Sequence, residues 1–409
     1  ARPRARTLRF MRCYRYFIMR LPALAFAVTA AFPALAAPTE DWSARMKSEG
    51  LAKTEAAIAA LAQPTPDDLF ALGGVRFLAG IEQALHLRWQ VGATAELAPV
   101  PLLRLTLPDN PAPEPYRASL VTEVFSGARA KMDASAAALA QIPDAADIAV
   151  TIRLDDLWFD IDGSGSEGPG EALMPLALSA LSQPWDQPEM PAGLAPSIRF
   201  DSADVAWLSA YTHLVSALAE FTLAFDPTAA TEKIIAAAED KRTRLGADPS
   251  FLDQMTGMGP DFDKLAIVYL MLRQPPDAER TRAAKTHLLS MVADNQKFWA
   301  KVATETDDNA EWIPNGKQTS AFGIVLPPET GQTWLGVLAD LQGMLEGRLL
   351  VPHFALPPTS GIDLGKWFDE PAPLDLIGWL HGVDALPYAR TGATIDGRSW
   401  NAFSMILGG

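Results

Sequence analysis

The apolar residues of this chain recur at the spacing of an α-helix along most of its length. Phe77, Ile81, Leu85 and Trp89 lie four residues apart, so they fall on one face of a helix. Residues 204–225 repeat the pattern with an aromatic and leucine stripe. Such stripes are buried when helices pack against one another. The periodicity therefore predicts a mainly α protein, a multi-helix globular array with one or two short strands.

The predicted helices end near proline, glycine or polar capping residues. They cover 41–62, 66–72, 75–92, 116–141, 204–225, 228–244, 262–273, 277–304, 330–346 and 372–382. One segment follows a different pattern, because apolar and other residues alternate over 148–154. This alternation indicates a half-buried strand, and 198–200 could pair with it. Residues 322–326 and 349–354 are predicted to be extended.

The first 36 residues are typical of a secretory signal peptide. They combine seven arginines with an apolar, alanine-rich run over 21–36 that contains Ala34 and Ala36, which form an A-x-A cleavage signal. We expect cleavage after Ala36 and a single mainly helical domain over 37–409. Residues 1–18 could be an upstream extension, with the true start at Met11 or Met19. The run is shorter than the roughly 20 apolar residues of a membrane span, and we expect no transmembrane segment after cleavage.

Charge and cysteine content exclude several classes of protein. Without the seven N-terminal arginines, Lys+Arg falls from 34 to 27 against 49 acidic residues, and the net charge changes from -15 to -22. An acidic chain lacks the basic surface that nucleic-acid binding requires. The only cysteine is Cys13, so the expected mature chain has no disulfide, thiol nucleophile or cysteine-bound metal. A thiol-free chain suits an oxidising compartment, and we expect a bacterial protein that is periplasmic or secreted.

One short segment has the composition of a metal-binding loop. Residues 160–171 read Asp-Ile-Asp-Gly-Ser-Gly-Ser-Glu-Gly-Pro-Gly-Glu. Calcium takes six to eight oxygen ligands. Side chains at alternate positions of a tight loop (Asp160, Asp162 and Ser164) can supply three of them, and Gly165 can make the sharp turn that follows.

This segment resembles the calcium-binding loop of the EF-hand proteins at every obligatory position. The resemblance covers 12 residues and implies that Asp160, Asp162, Ser164, the carbonyl of Ser166 and Glu171 bind Ca²⁺. It also implies that Glu171 lies in the first turn of a following helix, predicted over 171–181, and coordinates bidentately.

The loop departs from the EF-hand pattern at two positions. Glu167 stands where an aliphatic residue is usual, and Gly168 offers no side chain to hold a bridging water. We therefore expect a solitary structural site between a strand and a helix, with an affinity of about 10⁻⁴–10⁻³ M. The alternative is an Asp/Gly-rich surface turn, because the same residues favour turns.

Other candidate sites are weaker. Glu305, Asp307, Asp308 and Glu311 lie beside Trp312, and paired carboxylates next to an aromatic ring can act on glycans. A solvated acidic turn with the indole packed in the core explains the same residues. The acidic groups around Trp367 and Trp379 (Asp363, Asp369, Glu370 and Asp375) have the same two interpretations.

The histidines do not indicate a catalytic site. His213, His86 and His287 are interpreted as partly buried packing or helix-surface residues. A Ser/His/Asp triad built on His353 or His381 would lack the Gly-x-Ser-x-Gly turn that exposes the nucleophile in one class of hydrolases. We assign no catalytic residue.

Residues 201–226 and 311–390 resemble uncharacterised bacterial exported proteins, a resemblance that implies no function. The sequence favours an exported module with one structural Ca²⁺ site and an unknown envelope or extracellular partner. The alternative is a periplasmic hydrolase that acts on glycan or peptide through acidic residues brought together by the fold. Binding to anionic membrane surfaces is disfavoured by the acidic charge.

Overall fold

A computed structural model describes residues 41–93, 105, 107–176, 196–246, 259–323 and 325–396. The prediction of a mainly helical array is confirmed, because helices dominate these ranges and strands occur only in two short antiparallel pairs. The predicted signal segment lies outside the described residues. Among the residues described, no helix is long and apolar enough to cross a bilayer.

The helices follow the predicted ranges closely. Their bounds are α1 Trp42–Ala59, α2 Pro66–Gln90, α3 Leu120–Leu139, α4 Asp204–Phe225, α5 Thr228–Leu245, α6 Gly259–Leu272, α7 Ala278–Val302, α8 Thr330–Leu345, α9 Leu364–Asp369 and α10 Leu376–His381. The strands are β1 Val150–Arg153, β2 Ser197–Phe200, β3 Ser360–Ile362 and β4 Ala389–Thr391.

The strand predicted over 148–154 is confirmed, together with its partner. β1 and β2 are antiparallel, with Val150 opposite Phe200 and Arg153 opposite Ser197. The second pair, β3 and β4, was not predicted. With three residues in each strand, it carries too little alternation to be recognised in the sequence.

Helix α2 is continuous where the sequence indicated two helices separated at 73–74. That prediction is wrong because Gly73 serves helix packing instead of ending the helix. A Cβ atom on Gly73 would lie 2.7 Å from a methyl carbon of Leu139 on α3. The hydroxyl of Ser135 donates a 2.6 Å hydrogen bond to the Gly73 carbonyl. The glycine thus lets two helix backbones approach closely.

Three further predictions need correction in the C-terminal part. Helix α9 was missed, since six residues are too few to show a helical period. The helix expected over 372–382 covers only Leu376–His381. The described residues of 322–326 do not form a strand.

The core has two main parts, both rich in aromatic side chains. The larger lies around β1, β2 and helices α1 to α4, and includes Phe70, Phe200, Trp207 and Trp312. The ring centroids of Phe200 and Trp312 are 5.8 Å apart. A second part packs Phe225 at the end of α4 against the C-terminal helices. Helix α4 therefore reaches from one part of the core to the other.

Candidate metal centre

The acidic loop is closed at its base by backbone pairing. Trp158 and Ala172 form an antiparallel bridge, and the Phe159 N–H donates to the Glu171 carbonyl at 2.9 Å. Pairing of this kind fixes both ends of the loop. The chain therefore enters and leaves 160–171 at neighbouring points of the protein.

Glu171 does not occupy the position expected from the EF-hand resemblance. Helical residues begin at 173, so Glu171 precedes the helix and is 1% exposed. The expectation that it lies in the first helical turn is therefore wrong. The bridge at Ala172 requires extended backbone, which delays the helix. The rest of the helix expected over 171–181 falls partly on 177–181, outside the described residues.

The fold brings the three predicted carboxylates together. One oxygen from each of Asp160, Asp162 and Glu171 lies within 4.8 Å of the others. Asp162 is exposed and Glu171 is buried, so the cluster extends from the surface inward. Clustered carboxylate oxygens are the donor type that Ca²⁺ and Mg²⁺ prefer.

Glu171 organises the backbone of the loop. Its Oε1 accepts hydrogen bonds from the N–H groups of Ile161 (2.8 Å) and Asp162 (3.0 Å), and its Oε2 accepts one from Gly168 (2.6 Å). A carboxylate has about four lone-pair sites, so these bonds leave room for one bond to a cation. Bidentate coordination requires at least one of the N–H groups to turn away.

The tip of the loop is a sequence of tight turns. Gly165 adopts a φ of 75°, which favours glycine, and its N–H donates to the Asp160 carboxylate at 3.1 Å. The Ser164 N–H donates to Asp162 at 2.8 Å, and the Ser164 hydroxyl donates to the Ser166 carbonyl at 3.0 Å. All five predicted ligand residues therefore take part in one hydrogen-bonded loop.

Both departures from the EF-hand pattern have a structural role. Glu167 forms an ion pair with Lys47 of α1, with 2.7 Å between Oε2 and Nζ. A Cβ atom on Gly168 would lie 3.0 Å from Oε2 of Glu171. Glycine at this position thus lets the backbone N–H approach the buried carboxylate.

Helix α2 holds the loop through residues that the sequence analysis missed. The Glu82 carboxylate accepts a 2.8 Å bond from the Asp160 N–H, and burial raises the pKa of Glu82 to about 7. His86 donates from Nδ1 to the Ile161 carbonyl at 2.8 Å. Its Nε2 lies 3.0 Å from Nε2 of Gln90. The sequence did contain one signal for Glu82, because it is an acidic residue next to Ile81 in a mainly apolar helix.

A cavity of about 710 Å³ adjoins the loop. Trp89 and Gln90 of α2 line it, together with residues 108–112 of the proline-rich segment. Asp162 and Glu171 also border it. Two of the three clustered carboxylates are therefore next to a space that could hold a small molecule.

A second acidic cluster joins residues that are distant in sequence. Carboxylate oxygens of Asp201, Glu305 and Glu311 lie within 4.8 Å of one another. Burial, followed by the charge of Asp201, raises the pKa of Glu305 to about 7. The sequence pointed to Glu305 and Glu311 but missed Asp201. Neither the cavity beside the loop nor a second one lined by α3, α4 and α7 borders this cluster.

Two other residues of the 305–315 segment have structural roles. Trp312 is 5% exposed and packs in the core, as the alternative interpretation of this segment expected. Asp307 lies 3.7 Å from Arg199. The indole therefore offers no open face beside the carboxylates.

The C-terminal candidates are engaged in local interactions. Asp363 and Asp375 cap helices α9 and α10, and Asp369 pairs with Lys285. His353 lies with Nε2 2.9 Å from the Trp379 carbonyl, and its Nδ1 accepts a bond from a backbone N–H. These contacts occupy both nitrogens of His353, so it is not placed as a catalytic base.

Comparison with known proteins adds no relative: no family model, curated protein or solved structure matches the chain.

Proposed function

We propose that this chain is an exported, mainly helical binding module whose loop 160–171 binds one structural Ca²⁺. The observation that carries the proposal is the convergence of the Asp160, Asp162 and Glu171 oxygens within 4.8 Å. The same backbone bonds that shape the loop hold these oxygens in place. A cation would join the surface end of the loop to its buried end.

Electrostatics favour a cation at this position. Two unit charges at 4.8 Å repel by about 1 kcal/mol in water and by about 3 kcal/mol at an effective dielectric constant of 20. Among the described residues, Lys47 pairs with Glu167 of the loop, and no ion pair neutralises the three clustered carboxylates. A divalent ion would relieve this repulsion.

The donor set fits calcium better than a transition metal. The loop offers carboxylate oxygens, the Ser164 hydroxyl and the Ser166 carbonyl, and these are all hard ligands. Counting both oxygens of Asp160 and one oxygen of Glu171 gives about six donors, within the six to eight that calcium takes. No nitrogen or sulfur ligand belongs to the set.

Two observations support a binding role in the cell envelope. The cavity of about 710 Å³ places Trp89 near two loop carboxylates, which gives a ligand a location. The N-terminal sequence supports export to the periplasm or the medium. N-terminal sequencing of protein recovered outside the cytoplasm should begin at Ala37, and recovery of uncleaved protein in the cytoplasm alone would contradict export.

Hydrolysis of glycan or peptide is the alternative function, and the raised pKa of Glu305 favours it. A carboxyl with a pKa of about 7 suits a general acid. Two observations weigh against hydrolysis. The indole of Trp312 is buried, and neither of the two cavities borders the cluster of Asp201, Glu305 and Glu311. The binding module with one structural Ca²⁺ site therefore has more support.

Thermal unfolding tests the calcium site. The purified protein is treated with chelator and melted with and without about 10 mM Ca²⁺. This is about 100-fold above a dissociation constant of 10⁻⁴ M, so binding adds about 2.7 kcal/mol and raises Tm by roughly 3 °C. The Asp160→Ala variant should lose this rise.

The matched control is Asp155→Ala, which removes an exposed carboxylate outside the loop. It should retain the full response to Ca²⁺. Magnesium at the same concentration controls for ionic strength. Identical melts with and without Ca²⁺, or an equal rise in Asp160→Ala, would show that residues 160–171 are an ordinary surface turn.

A further inference from the structure

Two histidines meet between α4 and α7. Nδ1 of His213 lies 2.9 Å from Nδ1 of His287, and the ring centroids are 5.1 Å apart. The residues are 74 positions apart in sequence, so no spacing motif connects them. The sequence analysis interpreted both as partly buried packing or helix-surface residues, and it did not predict their contact with each other.

The two rings are suited to bind a cation because both are uncharged at neutral pH. Burial lowers the pKa of His213, and it lowers the pKa of His287 to about 4, helped by the charge of Arg129. A neutral imidazole has one nitrogen lone pair. In the pair, one ring donates its Nδ1–H to the other. Binding of a metal to both Nδ1 atoms requires the donating ring to carry its proton on Nε2 instead, so that each Nδ1 offers its lone pair.

A carboxylate lies at the far side of His213. Its Nε2 is 4.0 Å from Oδ2 of Asp294, and this oxygen also accepts a 2.6 Å bond from the Ser209 hydroxyl. Metal-bound histidines commonly direct their other ring N–H to a carboxylate, which fixes the tautomer and orients the ring. At 4.0 Å Asp294 is beyond hydrogen-bond distance, but its negative charge favours a proton on Nε2 of His213, which leaves Nδ1 free to bind.

The charges around the pair are balanced. Arg129 is the nearby cation, and it pairs with Glu220 and with Asp133. Glu220 also pairs with Arg280. Asp133 acts electrostatically on both imidazoles, and its side chain is 58% exposed. It is thus a carboxylate that could move to complete a coordination sphere.

We propose that His213 and His287 form a second metal site, for a transition-metal ion such as Zn²⁺ or Cu²⁺, separate from the calcium loop. Zn–N bonds of about 2.0–2.1 Å at tetrahedral angles place two ligand nitrogens roughly 3.4 Å apart, so the 2.9 Å pair needs only a small opening. Imidazole nitrogen suits Zn²⁺ and Cu²⁺, whereas calcium prefers oxygen. His213 and Asp294 line a cavity of about 700 Å³, so one of the two histidines borders a space that an ion can enter.

Calorimetric titration of the protein with Zn²⁺ tests this site. The purified, tag-free protein is stripped with chelator, and excess Ca²⁺ is then added to occupy the acidic loop. We expect one equivalent of Zn²⁺ to bind. His213→Ala and His287→Ala should each weaken binding at least tenfold, and Asp294→Asn should weaken it by about tenfold as an orienting residue.

Two controls separate this site from others. His381→Ala removes an exposed histidine and should bind Zn²⁺ like the parent protein. Asp160→Ala should do the same, so failure of the calcium proposal would leave this one intact. Electron paramagnetic resonance of Cu²⁺ added to the unaltered protein should show coupling to two imidazole nitrogens. This measurement requires no variant to fold.

Three results would overturn the metal site. They are no Zn²⁺ binding by the parent protein at millimolar concentration, undiminished binding by a folded His287→Ala variant, and a Cu²⁺ spectrum without nitrogen coupling. Any of these would mean that the histidines share a hydrogen bond that only joins α4 to α7.

Discussion

The carboxylate of Glu82 accepts a 2.8 Å hydrogen bond from the backbone N–H of Asp160, the first residue of the acidic loop. This contact places a carboxylate from the middle of α2 beneath the loop. It also fixes the direction in which the chain leaves the bridge at Trp158. The loop is thus held both by its own ends and by a helix that belongs to the larger core.

Replacing Glu82 with alanine should destabilise the protein. The substitution leaves the Asp160 N–H without its acceptor, and a buried, unsatisfied donor costs about 1–3 kcal/mol. Glu82→Gln keeps an oxygen acceptor, so its free energy of unfolding should be nearer to that of the parent protein. Urea unfolding of both variants measures the free energy of unfolding. Equal losses in the two variants would show that this hydrogen bond contributes little.

The Glu305 carboxyl should make stability depend on pH. Its pKa is about 7 in the folded chain and about 4.3 when unfolded. Between these values the folded protein binds more protons. Its stabilising contribution is therefore complete below about pH 4.3 and disappears as the pH rises through 7. Glu305→Gln should remove this component, which we expect to be on the order of 1 kcal/mol after solvent screening.

The measurement is the difference in unfolding free energy between Glu305→Gln and the parent protein at pH 5 and pH 8. At pH 8 the Glu305→Gln variant should gain stability relative to the parent protein, compared with the difference at pH 5. Glu329→Gln provides a control, since it removes an exposed carboxylate whose side chain makes no capping bond. A difference that is constant with pH, or the same pH trend in the control, would contradict the expected role of Glu305.

Adding one methyl group at Gly73 should loosen the contact between α2 and α3. The Cβ atom of Gly73→Ala would lie 2.7 Å from Leu139, and overpacking typically costs about 1–3 kcal/mol. Gly336→Ala is the matched control, because no atom lies within 4 Å of its added Cβ. There alanine should stabilise α8 by up to about 1 kcal/mol. A Tm that shifts in the same direction in Gly73→Ala and Gly336→Ala would refute this account.

Regular spacing made most of the helices predictable, since a helix with one buried face repeats its apolar residues. The strand pair around Val150 was predictable for the same reason, through its alternation. Gly73 misled the prediction because a glycine that lets helices approach has the same sequence appearance as a glycine that ends one.

The candidate site was partly predictable because Asp160, Asp162 and Glu171 belong to one short segment. Asp201 reaches Glu305 only through tertiary packing, and so does His213 in its contact with His287. No local sequence pattern indicates either of these two contacts. Glu82 was not predicted to be part of the site, because the apolar residues around it in the helix indicate only that the helix is buried.

Three backbone N–H groups donate hydrogen bonds to Glu171, and all three belong to the loop that its side chain closes. One buried carboxylate therefore holds the backbone at both ends of the loop. An ion at the proposed calcium site would share this side chain with the three donors. Amide hydrogen exchange at Ile161, Asp162 and Gly168 should therefore change when the proposed site is filled.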